Sequence, residues 1–197
     1  VWGSNPVYTQ VNLMTHISRA RKQRGARLVV IDPYRTPTAR QADVHLQPLP
    51  GTDAALACSI MHVLLRDGYA DKDYMAAFTN DADLLERHLQ SRDPAWASAL
   101  TGVPIESIEA LAKDYGLTDR AIIRLGYGFS RSRNGAASLH AVTCLPAVRG
   151  AWKHPGAGLY GSIGQNFRLN TSLITGVESS DVRRLDMSQL GPILTGE

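Results

Sequence analysis

The run Ala26–Ile31, closed by Asp32-Pro33, most constrains the fold. It follows Gly25, ends in the β-branched residues Val29-Val30-Ile31, and has no polar alternation. A strand exposed on one side alternates apolar and polar residues, whereas a continuous apolar run reads as a strand covered on both faces. Strands of that kind belong to parallel sheets, and parallel neighbours need crossover connections, usually helices. The rest of the chain meets this demand. Val7–Arg24 repeats apolar positions Val11, Met14, Ile17 and Ala20, and is expected to be one amphipathic helix ended by Gly25. Val44–Leu49 and Ala121–Leu125 read as further strands. Ala54–Asp67, Pro104–Tyr115 (with Gly116 as its terminal glycine) and Ala136–Gly150 read as helices. Asp71–Thr79, Asp83–Ser91 and Asp93–Leu100 read as short helices of an insertion, and Ala39–Asp43 as a helical turn. Val1-Trp2-Gly3 reads as the end of another strand. The expected class is therefore α/β: a three-layer parallel sheet with helices on both faces and a small helical insertion spanning about residues 71–116. That domain covers residues 1–153, and the glycine-rich stretch 154–197 is expected to be irregular and to lead into a neighbouring domain.

Parallel sheets bind ligands beyond the carboxyl ends of their strands. The unusual residues sit there: Gly3-Ser4-Asn5-Pro6, Asp32-Pro33, Pro50-Gly51-Thr52-Asp53 and Gly126-Tyr127-Gly128. Glycine permits close backbone approach, and a helix N-terminus offers unpaired N–H groups to phosphate. A carboxylate there can accept from ribose hydroxyls, or from the N1–H and amino group of guanine. Each feature has a plain alternative. Asp-Pro also makes a turn, Thr52 or Asp53 also caps a helix, and Gly-Tyr-Gly also makes a tight loop. Their common placement on one edge favours a nucleotide diphosphate. The Gly-x-Gly-x-x-Gly fingerprint of ordinary dinucleotide-binding domains is absent after the first strand.

Composition narrows the classes further. With 44% hydrophobic and 20% charged residues, a globular core is expected. The net charge of +3 suits an anionic ligand, but Lys and Arg form no block, so nucleic acid is not indicated. Cys58 and Cys144 stand alone in apolar surroundings, with no Cys/His cluster for zinc or iron–sulfur. They read as buried thiols. No apolar run approaches the ~20 residues that span a membrane.

Several segments, in order, resemble the molybdopterin oxidoreductase family, also called the dimethyl sulfoxide reductase superfamily. They are Gly3-Ser4-Asn5-Pro6 with His16; residues 25–39 with Ala42-Asp43; Leu49-Pro50-Gly51-Thr52-Asp53-Ala54-Ala55-Leu56; Thr101-Gly102-Val103-Pro104 with Ile108; Gly156-Ala157-Gly158; Gly164-Gln165-Asn166; and Asp186-Met187 with Leu190-Gly191. The resemblance implies a Rossmann-like domain gripping one half of a bis(molybdopterin guanine dinucleotide) cofactor that holds molybdenum or tungsten. It implies cofactor contacts from Asn5; from Ile31, Asp32 and Tyr34 around the nucleoside; from Gly51 and Asp53 at the guanosine end, with Asp53 as guanine reader; from Tyr127, Gly128 and Arg131 on the pterin–diphosphate side; and from Gln165 toward the pterin. It implies no catalytic residue and no metal ligand within this chain. It also implies a metal ligand and iron–sulfur cysteines upstream of Val1, neighbouring domains, and an electron-transfer subunit as partner. On this reading the chain is an internal segment without turnover of its own. Its compartment is expected to be cytoplasmic unless an export signal precedes Val1.

Two residues depart from the family pattern. Tyr34 stands where many relatives carry Arg, with Arg35 following. Arg131 stands where some formate dehydrogenases carry Gln, which points away from that branch. Competing readings are a stand-alone nucleotide-binding module, a thiamine-diphosphate-enzyme-like middle domain, and a subunit-interaction scaffold. On the residues alone His16 reads as either cofactor-facing or structural, His45, His62 and His88 as structural or surface residues, and Trp2 and Trp152 as packing residues.

Overall fold

The computed structural model describes residues 1–161, 170, 185 and 189–196. The chain divides into two compact units, Val1–Ser162 and Ile163–Glu197. In the second unit a short helix, Leu190–Thr195, is described. Gln165 and the segments Gly164-Gln165-Asn166 and Asp186-Met187 lie outside the described residues.

The first unit is built on parallel strands. Strands β1 (Val29–Ile31) and β2 (Val44–Leu46) pair in parallel, as do β3 (Ile122–Arg124) and β4 (Gly158–Tyr160). One residue joins the two pairs: Trp2 makes parallel bridges to Ile31 and to Leu125. Its N–H donates to the Arg124 carbonyl at 2.8 Å and its carbonyl accepts from Gly126 at 2.9 Å, while Gly3 N–H donates to Ile31 at 2.9 Å. The spatial order is therefore β2, β1, Trp2, β3, β4. The first segment of the chain lies centrally and later strands build outward on both sides. That is the doubly wound order, with its switch point between Trp2 and β3.

Period-two alternation sends neighbouring β1 side chains to opposite faces. Ile31 joins the larger core with Trp2, Leu46, Leu125 and helices α3 (Asp53–Arg66) and α8 (Gly135–Arg149). Val30 joins a smaller cluster with Leu28 and Ala39, against which Ile17 of α2 (Val11–Arg24) packs. Helices thus cover both faces, as the apolar run requires. Helices α4 (Lys72–Phe78), α5 (Ala82–Leu89), α6 (Pro94–Thr101) and α7 (Ile105–Leu117) extend the larger core through Met75, Leu89, Ala97, Ile108 and Ala112.

Four expectations need correction. The helix expected over Val7–Arg24 is two: α1 (Pro6–Thr9) and α2, broken at Gln10, whose φ of −149° and ψ of 57° leave the helical region. Gly158–Tyr160, expected to be irregular, is β4 and completes the sheet edge. Gly116 does not end a helix. It lies within α7, and a Cβ there would stand 2.6 Å from the Tyr69 ring, so glycine is required for packing. Neither Thr52 nor Asp53 caps α3: the Thr52 hydroxyl donates back to the Leu49 carbonyl at 2.7 Å, and Asp53 has another partner.

Candidate functional site

Each strand at the switch point hands over to a helix on the same edge. Leaving the Trp2 bridge, the chain turns through Gly3 at a φ of +62°, a left-handed conformation that favours glycine, and enters α1. Leaving β3, it forms the 3-10 turn Tyr127–Arg131 and then α8. The two exits touch: Gly128 N–H donates to the Gly3 carbonyl at 3.0 Å. A Cβ on Gly126 would lie 2.1 Å from that same oxygen. These glycines therefore admit one strand-end loop against another, and approach to a ligand is not needed to explain them.

Helices α3 and α8 run to the same edge, and their N-terminal loops are bonded. The Asn134 side-chain amide donates to the Gly51 carbonyl at 2.7 Å, and Gly51 holds a φ of +82°. The residue before each helix, Thr52 and Asn134, makes no side-chain cap. The first N–H groups of a helix have no partner within it, so two helix N-termini of 14 and 15 residues present donors and positive potential side by side. Arg131 and Arg133 are exposed just ahead of α8.

The carboxylates occupy the neighbouring part of the edge. Asp53, the first residue of α3, accepts the Trp2 indole N–H on Oδ1 at 2.7 Å. Asp32, just past β1, accepts the Tyr34 backbone N–H at 2.9 Å. Partial burial raises the Asp32 carboxyl above its usual range and the charge of Asp53 adds to the rise, while the Tyr34 N–H and His45 oppose it. His45, read from sequence as structural or surface, places ring Nε2 2.9 Å from the Asp32 carbonyl oxygen and so steadies the turn.

Asn5 is oriented by a residue the sequence reading passed over. The buried Thr38 hydroxyl donates to Asn5 Oδ1 at 2.8 Å and accepts the Val7 N–H at 3.1 Å. With its oxygen engaged, the Asn5 amide turns its N–H donors to the other side. Tyr34 and Tyr127 are 67% and 63% exposed, enough for a planar group to stack on either. Ile31 is placed differently. It is 5% exposed within the larger core, and its N–H and carbonyl bond Val1 and Gly3. Its part at the edge is to anchor Asp32. His16 is exposed on α2.

Asn5, Asp32, Asp53 and Gly128 lie along this edge, and the side chains that orient it, Trp2, Thr38 and Asn134, were not read from sequence as site residues. Trp2 and Asn134 each adjoin a glycine, Gly3 and Gly135, at a strand end or helix start, whereas Thr38 carries no such local signal. Arg124 was also missed. It is a mostly buried cation at the end of β3, 4.9 Å from the Tyr160 ring centroid and donating to the Leu125 carbonyl.

Elsewhere, Cys58 and Cys144 are free and only partly buried, and burial raises both thiols. Among the described residues no group of three or more His, Cys, Asp or Glu could hold a metal ion. No described helix is long and apolar enough to cross a membrane.

This chain is similar to known proteins. A family model described as molybdopterin oxidoreductase matches residues 1–189. The probable oxidoreductase YoaE of Bacillus subtilis is 36% identical over 196 residues, covering 98% of this chain and 29% of that protein. The F420-dependent formate dehydrogenase 1 subunit alpha of Methanococcus maripaludis is 35% identical over 164 residues, covering 83% of this chain and 24% of its own length. Formate dehydrogenases are therefore among the relatives despite Arg131. Biotin sulfoxide reductase of Cereibacter sphaeroides is 31% identical over 78% of this chain and 22% of its own. Among solved structures, acetylene hydratase from Pelobacter acetylenicus superposes with a TM-score of 0.67 at 26% identity, over 72% of this chain and 19% of that one. The chain spans about a quarter of the length of the curated relatives it matches. With the family model spanning nearly every residue, this chain belongs to the molybdopterin oxidoreductase family.

Proposed function

We propose that this edge binds the guanosine and diphosphate part of a molybdopterin guanine dinucleotide. The observation that carries the reading is the junction of α3 and α8: two N-termini without side-chain caps, held together by the Asn134–Gly51 bond, beside the Asp53 carboxylate. The donor set fits the group. Diphosphate oxygens suit the clustered N–H donors and the exposed Arg131 and Arg133, and ribose hydroxyls and guanine donors suit Asp32 and Asp53. Tyr34 is placed to stack on a planar base, and Asn5 to donate toward the cofactor. Tyr127 and Gly128 serve the pterin–diphosphate side, while Gln165, outside the described residues, is assigned to the pterin by the family resemblance alone. When bound, the group supplies two-electron redox chemistry at its molybdenum or tungsten. The share of these residues is to bind and orient it.

On this reading the longer protein of which the relatives are examples is an oxidoreductase. Its metal ligand and any iron–sulfur cluster are contributed by other segments. Its partners are neighbouring domains and an electron-transfer subunit, and the residues of this chain alone give no turnover.

Titration calorimetry with GDP and ADP tests the nucleotide reading directly. GDP is expected to bind weakly and ADP more weakly still, with Asp53→Ala removing the difference. Equal binding of the two, or an Asp53→Ala chain that still discriminates, refutes it.

A further inference from the structure

We infer that Trp2 is a specificity-determining positioning residue, whose indole N–H sets which face of position 53 the base meets. The inference rests on the nucleotide reading above and deepens it. Trp2 is 3% exposed and stands at the centre of the sheet, bridged to Ile31 on one side and Leu125 on the other. Its ring packs 6.2 Å from that of Phe129. A buried ring on a backbone fixed at both sheet neighbours cannot follow a moving partner, so the partner must conform to it. That partner is Asp53, through a bond of 2.7 Å from Nε1 to Oδ1. Among the described residues Oδ2 has no bonded partner.

An indole N–H donates and never accepts. It therefore fixes more than the direction of the side chain. Whatever occupies position 53 must turn an acceptor inward to Trp2, and its other atom then faces the edge. With Asp, that outward atom is a second acceptor. It matches the Watson–Crick edge of guanine, where N1–H and the 2-amino group donate side by side. It opposes adenine, whose N1 is an acceptor. Partial burial of the pair makes a wrong pairing costly, because an unmatched polar group there loses part of its water.

The same logic makes an unusual demand of the amide variant. In Asp53→Asn the indole holds the amide oxygen inward, so the NH2 group faces the base. Preference should then invert toward ADP. Removing the indole N–H releases this constraint: in the double variant Trp2→Phe/Asp53→Asn the amide can flip, and the inversion should disappear. A merely structural Trp2 would lower affinity for both nucleotides together and would produce no inversion.

The test is calorimetry of the 197-residue chain with GDP, IDP and ADP, on wild type, Trp2→Phe, Asp53→Asn and the double variant, each first checked for a cooperative melt. Trp2→Phe is expected to reduce the GDP-over-ADP ratio by up to about tenfold, leaving ADP binding within about twofold. IDP, lacking the 2-amino group, is expected to fall between GDP and ADP in wild type and to approach GDP in Trp2→Phe. If Trp2→Phe does not fold, Asp53→Asn decides alone. Inverted preference supports the inference, and retained guanine preference overturns it. A wild type that binds GDP and ADP equally overturns the nucleotide reading itself. A wild type that prefers GDP, with Trp2→Phe unchanged in ratio and Asp53→Asn not inverted, overturns only the role of Trp2.

Discussion

Helices α2 and α3 each have 14 residues and flank the same short strands from opposite sides. Their fates differ. α3 buries Ala55, Leu56, Ala57, Ser59, Ile60, Met61, Val63 and Leu64, whereas α2 buries Met14 alone. Both began as plausible amphipathic patterns. The difference lies in what they meet. α3 packs on α5, α6, α7 and α8, so nearly every turn has a neighbour, while α2 faces Leu28, Val30 and Ala39 across one stripe. α2 also carries Arg19, Arg21, Lys22 and Arg24 with no acidic residue, which suits a solvated face. Placement of the site follows from this. The helix whose N-terminus faces the proposed ligand is also the one most firmly seated, so its N–H groups are held still.

The contrast can be broken by mutation. Leu64→Ala on α3 removes a side chain with no exposure, and urea unfolding should show a loss of about 2–5 kcal/mol. Met14→Ala on α2, at a site 9% exposed and outside both core clusters, should cost less than about 2 kcal/mol, below the range for enclosed methionines. Comparable losses would mean that α2 is as deeply supported as α3.

A smaller effect concerns Asp32, which follows the strand shared by both clusters. Its folded carboxyl is raised by burial, so its contribution favours the fold at low pH, below the unfolded value of about 4, and is lost as pH rises through the folded value. At neutral pH the ionised group thus works against the fold. Asp32→Asn should melt slightly higher than wild type at pH 7, lose that advantage below about pH 4, and bind GDP less well. A lower melting temperature at pH 7 would place Asp32 among the structural carboxylates. The smallest effect is expected at Arg66, which ends α3 and bridges Asp67 and Glu109 on the surface. Arg66→Ala should cost no more than about 1 kcal/mol, with a salt-dependent part, showing that the advantage of α3 is packing rather than charge.

Much of this architecture is legible in the residues. Val29-Val30-Ile31 demanded covering on both faces, and the larger and smaller clusters supply it. Gly25 ends its helix with positive φ, as its position suggested. The failures share one physical cause: a distant partner overrode a local signal. Gly158 has poor strand propensity, yet pairing with Ile122 makes it a strand. Gly116 looked like a helix end because the Tyr69 ring that requires it comes from another segment. Asp53 looked like a cap because Trp2, which claims its carboxylate, lies near the other end of the sequence read so far. At this edge candidate ligand groups could be proposed from type and spacing, but the residues that orient them could not, since Thr38 and Asn134 act only through contacts the fold creates.

The single-residue bridge at Trp2 has a consequence for how the domain assembles. The β1–β2 pair is local in sequence, and so is the hand-over from β3 into α8. α3 and α8 pack the two halves together, but among the described residues their strands share backbone bonds only through the segment around Trp2. Laying that segment between them joins the beginning of the chain first to Ile31 and then to Leu125, and it pays the loop-closure entropy of the longer span for very few backbone bonds. The sheet is thus completed by its most remote contact. With Trp96 and Trp152 replaced by Phe, the remaining fluorescence of Trp2 should report that closing event rather than the collapse of α3 and α8.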